Sequence, residues 1–211
     1  CPVSGYKQRL EKHNLRGDKM TVADYVIEFF ISNGVKDVFG YQGGMIAYLF
    51  DAMGRRREKI HYHACATEQG AALAACGYAQ ATGKMGVVFS TSGPGFTNML
   101  TGIADAWFDS IPLICISGQV NTKDKKRLLN VRQLGFQEIQ APVVVDSIVK
   151  EVFEIDTAKY LIKNPCFSIR LKRPLNGSGP DYNCVYSILL PVSAAQKLTG
   201  LFPQRISASD T

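Results

Sequence analysis

Short apolar runs alternate with helix-like segments through most of this 211-residue chain. The runs at residues 35–40, 60–65, 86–91 and 111–117 indicate strands, because they are short, apolar and bounded by turn residues. Further predicted elements are helices at residues 21–32, 45–54, 68–81, 97–108 and 156–163 and a strand at residues 147–155. Apolar strands that alternate with helices predict an α/β fold, a three-layer doubly wound parallel sheet with helices on both faces.

Composition divides the chain into three parts. Residues 1–19 lack periodicity and predict a flexible extension, whereas residues 20–163 carry the alternating strands and helices and predict the folded domain. From residue 164 onward, Arg, Pro, Gly and Ser are frequent and the apolar residues show no periodicity. This composition predicts an atypical tail at residues 164–211. Within that tail, residues 184–190 predict one added strand, which Pro191 ends.

The net charge of +6 lies outside the predicted domain. Residues 1–19 and 164–211 each hold five basic and two acidic side chains, which leaves 14 of each sign in residues 20–163. A neutral body argues against nucleic acid as a partner. The apolar runs are far shorter than the ~18 residues that a membrane span needs, so we expect a cytoplasmic protein. Six cysteines without a C-x-x-C pair predict reduced thiols.

Three turns follow predicted strands, at the edge of a doubly wound sheet where ligands bind. They contain Gln42-Gly43-Gly44, Thr67-Glu68 and Ser92-Gly93-Pro94-Gly95. The last turn fits neither the dinucleotide fingerprint nor the P-loop, because Asn98 replaces the third glycine and no Gly-Lys-Ser/Thr follows. It predicts either a tight structural turn or a ligand-facing loop, and both interpretations stay open.

Two sets of titratable residues have alternative interpretations. His61, His63 and Cys65 alternate along one predicted strand, which is compatible with zinc, but a hydrogen-bonded imidazole is the commoner outcome. No metal site is therefore predicted. Glu68 stands at a strand-to-helix turn before small residues, so it is either a functional acid or a carboxylate stabilised by the helix dipole.

Five stretches in a fixed order point to one family. They are Gly40-Tyr41-Gln42-Gly43-Gly44, EQGAALAACGYAQATGK from residue 68, STSGPGFTN from residue 90, GIADAWFDSIPLICISGQV from residue 102 and GFQE from residue 135. Together they resemble the pyrimidine-binding domain of thiamine diphosphate enzymes, with acetolactate (acetohydroxyacid) synthase the most similar. The resemblance extends over about residues 20–163. It implies thiamine diphosphate as cofactor and a 2-oxo acid reaction that converts pyruvate to acetolactate by decarboxylation and carboligation.

The resemblance implies that Glu68 is the catalytic acid, hydrogen-bonded to ring nitrogen N1′ of the cofactor's aminopyrimidine. A carboxyl group in a water-poor cleft is costly to leave charged, so it can share a proton with that ring and promote loss of the thiazolium C2 proton. The cofactor-binding positions implied with it are Gly43, Gly44, Pro94, Gly95 and Asn98. The implied substrate-side positions are Phe136, Gln137 and Gln119.

Departures from the family pattern limit what the resemblance implies. Gln42 stands where Pro is usual and Thr67 where His is usual, which bears on substrate choice. The Gly-Asp-Gly run that binds Mg²⁺ and the diphosphate in the family does not occur in this sequence. The chain is therefore expected to hold half a cofactor site and to be inactive alone. We expect a homodimer or a partner that carries the diphosphate-binding domain; FAD in the intact enzyme and a non-catalytic dimerisation module remain alternatives.

Overall fold

The computed structural model describes residues 20–125, 130–155 and 185–191. Its helices are α1 (Val22–Ser32), α2 (Ala47–Gly54), α3 (Glu68–Thr82), α4 (Pro94–Asn98), α5 (Leu100–Phe108) and α6 (Ala141–Val145). Its strands are β1 (Asp37–Gly40), β2 (His61–Ala64), β3 (Gly86–Ser90), β4 (Leu113–Gln119), β5 (Glu151–Glu154) and β6 (Val185–Pro191). Short 3₁₀ turns occupy Gly44–Ile46 and Thr122–Asp124.

The six strands form one sheet in the order β2, β1, β3, β4, β6, β5, and every neighbouring pair is parallel. The chain passes from β1 to β2 on one side and returns through α3 to β3 on the other side of β1. This reversal of strand order makes the sheet doubly wound and places a switch point between β1 and β3. The predicted α/β fold class is confirmed.

Apolar side chains alternate between two cores, one on each face of the sheet. In β3, Val87 and Phe89 join the core that contains α1 and α2, whereas Val88 joins the core that contains α3 and α5. In β4, Ile116 and Cys115 divide between the two cores in the same way. A strand that is buried on both faces needs apolar residues throughout, which explains the continuous apolar runs in the sequence.

Three elements differ from the sequence predictions. The helix predicted at residues 97–108 begins earlier and is interrupted, because Pro94 starts α4 and Met99 separates it from α5. Proline suits the first turn of a helix, since its missing N–H has no intrahelical partner there. The strand predicted at residues 147–155 is reduced to β5. The helix α6 was not predicted, because its valines are typical of strands.

The structure places a strand at Val185–Pro191, between β4 and β5, where residues 184–190 predict an added strand. The predicted helix at residues 156–163, the extension at residues 1–19 and most of the tail lie outside the described residues. The division of the chain into three parts therefore stays a prediction.

A buried ion pair connects α1 with the end of α2. Thr21 and Asp24 form a capping box at the start of α1. Asp24 Oδ1 accepts hydrogen bonds from Arg55 Nη2 at 2.7 Å and from Arg56 Nη1 at 2.8 Å. Burial by itself would raise the pKa of Asp24, but the hydrogen bonds from Arg55, Thr21 and Arg56 outweigh it and lower the pKa to about 2. Arg56 also donates to Glu28 Oε1 at 2.6 Å.

The described cysteines are Cys65, Cys76 and Cys115, and none of them forms a disulfide. Burial raises the pKa of Cys76 to about 12 and raises that of Cys115 well above its usual value. Both thiols are therefore expected to stay protonated at neutral pH. None of the helices in the described part of the chain has the length and hydropathy to cross a membrane.

Candidate functional site

The switch point brings the ends of β1 and β3 together. Gly40 pairs with Phe89, and a Cβ at Gly40 would lie 2.6 Å from the carbonyl oxygen of Phe89, so glycine permits this close approach. The residues that follow both strands are therefore adjacent: a Cβ at Gly43 would lie 2.8 Å from Thr91 Oγ1. In doubly wound sheets this is the edge at which ligands bind.

Glu68 reaches this edge from the first residue of α3. Thr67 caps the helix, because its hydroxyl accepts a hydrogen bond from the Gly70 N–H at 3.1 Å. Glu68 Oε2 accepts a hydrogen bond from Asn98 Nδ2 at 2.8 Å. Within the described residues no other donor binds this carboxylate, so Oε1 is left to accept a further hydrogen bond.

The glycine turn after β3 is a tight structural turn, and it also lies against the carboxylate of Glu68. Gly93 has a φ of +60°, and a Cβ there would lie 2.7 Å from the Gln137 carbonyl oxygen, so Gly93 serves the turn itself. Gly95 is buried, and a Cβ there would lie 3.0 Å from Glu68 Oε1. Pro94 is exposed at the start of α4. The absence of a side chain at Gly95 therefore leaves room at the carboxylate.

Gly43 and Gly44, which form the predicted glycine pair, have different surroundings. A side chain at Gly43 would collide with Thr91, whereas a Cβ at Gly44 would meet no atom of the chain within 4 Å. Gly43 is therefore required by packing within the chain, and Gly44 borders open space at the same edge of the sheet. Sequence reasoning missed Thr91, whose side chain packs against the positions of both Gly43 and Gly95. Its place directly after β3 was the available signal.

Two of the three predicted substrate-side residues, Phe136 and Gln137, belong to a loop at residues 134–139, here called the FQE loop. Phe136 is 72% exposed on it. Gln137 adopts a φ of +55° and packs its backbone against Gly93. Gln119, at the end of β4, is only 3% exposed, and its amide points into the protein. The FQE loop therefore touches the glycine turn after β3, while Gln119 lies beneath the surface.

The histidines of β2 form a separate group at the edge of the sheet. His63 Nε2 lies 2.9 Å from Asp37 Oδ1, and Tyr78 donates to Asp37 Oδ2 at 3.1 Å. His63 also stacks on Phe39, with 4.9 Å between ring centroids. His63 is thus a hydrogen-bonded imidazole. The described residues contain no group of three or more His, Cys, Asp or Glu side chains that could hold a metal ion.

A family model described as "Thiamine pyrophosphate enzyme, N-terminal TPP binding domain" matches residues 20–143, more than half of the chain. The chain belongs to this family. Thiamine pyrophosphate is the compound called thiamine diphosphate above. The match includes Gly43, Glu68, Asn98 and the FQE loop, so the candidate site lies within the family's own domain.

Curated relatives include several acetolactate synthases. The isozyme 2 large subunit of Escherichia coli is 50% identical over 102 residues, which are 48% of this chain and 18% of that protein. The acetolactate synthase of Arthrospira platensis is 38% identical over 149 residues, 70% of this chain and 24% of that protein. Acetolactate synthase 1, chloroplastic, of Zea mays is 37% identical over 155 residues, 72% and 23% of the two chains. The matched part thus spans less than a quarter of each of these relatives.

The residues that follow β1 and β3, together with Glu68, fit the aminopyrimidine of thiamine diphosphate. Glu68 Oε1 can accept a hydrogen bond, Asn98 fixes the other oxygen, and Gly95 and Gly44 leave space around them. Ser92 is buried within the same turn, and its hydroxyl has no hydrogen-bond partner in the described part of the chain. Carboxylate, amide and glycine backbone suit a planar, hydrogen-bonding heterocycle.

Proposed function

We propose that this chain supplies the aminopyrimidine half of a thiamine diphosphate site in an acetolactate synthase-like enzyme, and that it is inactive without a diphosphate-binding domain. The observation that carries this proposal is the carboxylate of Glu68, which has one oxygen held by Asn98 and the other open beside Gly95. Membership of the family supports the cofactor, and the acetolactate synthase relatives support a 2-oxo acid as the substrate.

Thiamine diphosphate, when bound, supplies a carbon nucleophile for 2-oxo acids and a store for the electrons that loss of CO₂ releases. The chain's own contribution is a proton held between Glu68 Oε1 and the ring. Asn98 restricts the rotation of the carboxyl group through its 2.8 Å hydrogen bond to Oε2. A positioned acid of this kind contributes to catalysis because it needs no reorganisation when the proton moves.

The exposure of the site supports the need for a partner. Glu68 is half-buried and Asn98 is exposed in the single chain, so water reaches the carboxyl group. A second protein surface would exclude this water and strengthen the hydrogen bond to the ring. We assign the Mg²⁺ and diphosphate ligands to that partner, because the Gly-Asp-Gly run that binds them in the family does not occur in this sequence.

The experiment that tests the proposal reconstitutes the enzyme from two chains. The 211-residue chain is co-expressed with the Escherichia coli isozyme 2 large subunit from which the matching segment has been deleted. This combination, here called the reconstituted mixture, is assayed for acetolactate with thiamine diphosphate, Mg²⁺ and pyruvate. The deleted segment of the relative, supplied as a separate chain, is the positive control. We expect product from the mixture and none from either chain alone.

Two results would contradict the proposal. The first is an inactive mixture while the positive control is active. The second is product from the 211-residue chain alone, which would mean that the half site is complete in itself. Stable association of the two chains without product would favour the alternative of a non-catalytic dimerisation module.

Gly43 and Gly44 provide a matched pair of alanine variants. Gly43→Ala should lower the free energy of unfolding by about 1–3 kcal/mol, because the new methyl group collides with Thr91. Gly44→Ala should leave stability within about 0.5 kcal/mol, because no atom lies within 4 Å of the new methyl group. Gly44→Ala should instead raise the thiamine diphosphate concentration needed for half-maximal activity of the reconstituted mixture.

Denaturant unfolding of the 211-residue chain and a cofactor titration of the mixture measure the two effects separately. Equal losses of stability in both variants would show that a methyl group at residue 44 also collides with the surrounding protein. An unchanged cofactor requirement in Gly44→Ala would remove this turn from the cofactor site.

A further inference from the structure

The FQE loop is held in place by contacts with two neighbouring parts of the fold. Gly93 packs against the backbone of Gln137. On the other side, a Cβ at Gly135 would lie 2.6 Å from Val120 Cγ1, so this glycine lets the loop approach the end of β4. Within the loop, Glu138 Oε2 accepts a hydrogen bond from the Leu134 N–H at 2.8 Å. The loop is thus packed between the turn after β3 and the end of β4.

Gln119 joins this loop to the sheet by one hydrogen bond, and a second one to its own neighbour holds the amide in place. Its Nε2 donates to the carbonyl oxygen of Ile139 at 3.1 Å, and its Oε1 accepts from the Val120 N–H at 2.9 Å. The side chain is 3% exposed, so both ends of the amide are occupied inside the protein. A buried amide with satisfied partners is costly to disturb, because removing one partner leaves the other group desolvated and unpaired.

The backbone of Gln137 adds a reason why this attachment matters. A non-glycine residue with φ of +55° is in an unfavourable conformation, which persists only where the surroundings hold it. Phe136 precedes it and is 72% exposed, so its own packing does not fix its direction. The direction of Phe136 therefore depends on how firmly the ends of the loop are held.

We propose that Gln119 is a positioning residue, which fixes the FQE loop through Ile139 and so sets the direction in which Phe136 and Gln137 face the substrate. Gln119 itself does not touch the substrate, because its amide is buried and fully engaged. This inference rests on the proposed function, which assigns Phe136 and Gln137 to the substrate side.

The test uses Gln119→Met, which keeps the volume and removes both hydrogen bonds, and Gln119→Glu, which keeps the acceptor and removes the donor. Gln80→Leu is the matched control, because Gln80 is exposed on α3. Hydrogen exchange of residues 134–140 is measured in the full 211-residue chain. kcat/KM for pyruvate and the thiamine diphosphate requirement are measured in the reconstituted mixture.

We expect Gln119→Met to speed exchange in residues 134–140 about tenfold or more, since the loop opens more often without its attachment. kcat/KM for pyruvate should fall by about 10- to 100-fold, because a displaced substrate-side group costs orientation. The thiamine diphosphate requirement should stay the same, since Glu68 and Asn98 are untouched. Gln80→Leu should change none of these quantities.

Gln119→Glu adds a readout that a purely structural role would not change. A carboxylate faces the Ile139 carbonyl oxygen without a proton to donate, whereas the protonated carboxyl group restores the donor. The activity of Gln119→Glu relative to the unvaried chain should therefore rise as the pH is lowered. This variant also keeps the inference testable if Gln119→Met fails to fold.

Two results would overturn the positioning role of Gln119. Unchanged exchange in residues 134–140 with reduced kcat/KM would mean that Gln119 acts on the substrate directly, which overturns the inference. Faster exchange with unchanged kcat/KM would reduce Gln119 to a structural residue and overturn it as well. In both of these results the reconstituted mixture is active and its activity depends on Glu68. If the proposed function itself were wrong, the mixture would be inactive, or its activity would not change when Glu68 is replaced.

Discussion

Replacing Glu68 by Gln should lower acetolactate formation in the reconstituted mixture by about 100- to 10,000-fold, the range that positioned acids and bases contribute. Gln has the size of Glu, and its side-chain oxygen can still accept the hydrogen bond from Asn98. The amide cannot hold or release a proton at the position of Oε1. The loss should therefore appear in kcat, with the fold and the assembly of the two chains preserved.

Two further variants make this result specific. Glu58→Gln makes the same chemical change at an exposed position in the segment between α2 and β2, and should retain full activity. Asn98→Leu removes the donor to Oε2 and should cost less than Glu68→Gln, because the carboxyl group is still present but free to rotate. If Glu68→Gln kept even a tenth of the activity with a native unfolding curve, the proton-holding role of Glu68 would be wrong.

Replacing Asp24 by Asn should lower the free energy of unfolding by about 2–4 kcal/mol at neutral pH, the largest stability effect that we expect from a single charge. Asp24 is 6% exposed and receives hydrogen bonds from Arg55 and Arg56. The variant leaves the guanidinium of Arg56 partly buried with Glu28 as its remaining carboxylate. It also weakens the capping box with Thr21.

The pH dependence of this effect has a definite sign. The pKa of Asp24 is lowered to about 2 in the folded chain from the usual 3.8, so its contribution is complete above pH 4. That contribution, about 2 kcal/mol for a shift of this size, is lost as the pH falls from about 4 to about 2. The difference in stability between the unvaried chain and Asp24→Asn should therefore shrink over the same interval.

Urea unfolding at a series of pH values measures this difference. Asp51→Asn is the matched control, because Asp51 also pairs with Arg55 but is 65% exposed. Its removal should cost less than about 1 kcal/mol, as is typical of surface ion pairs. A constant stability difference between pH 5 and pH 2 would show that the charge of Asp24 is not what stabilises this contact.

The sequence was sufficient for the architecture because the two central strands β3 and β4 are buried on both faces. Apolar runs such as that of β4 exclude an antiparallel sheet with one face exposed to water. A parallel sheet needs crossover connections, which predicts the helices between the strands. Local signals failed where two tendencies compete. The valines of α6 are typical of a strand, yet Pro142 and a short connection start a helical turn there. Pro94-Gly95 indicated a turn, although Pro94 begins α4.

The sequence indicated the part of the candidate site in which a single residue is proposed to carry the chemistry. It did not indicate contacts between residues that are far apart in the chain. Glu68 stands out beside its small neighbours, and its resemblance to the family acid supports the role that we propose for it. The approach of Thr91 to Gly43, and of Gln119 to Ile139, depends on pairing between elements that are far apart in the chain. Asp24 and Arg56 are separated in the same way, so no local pattern could indicate their ion pair.

The position of β6 has a consequence for folding during synthesis. Because β6 lies between β4 and β5, β5 has no partner strand until residue 191 has left the ribosome. Until then, one side of β4 offers unpaired backbone N–H and C=O groups to any passing strand. Closure of the sheet thus waits on contacts between segments distant in the chain, which are slow to form. A nascent chain of this kind is exposed to edge-to-edge association for longer than one whose strands join in sequence order.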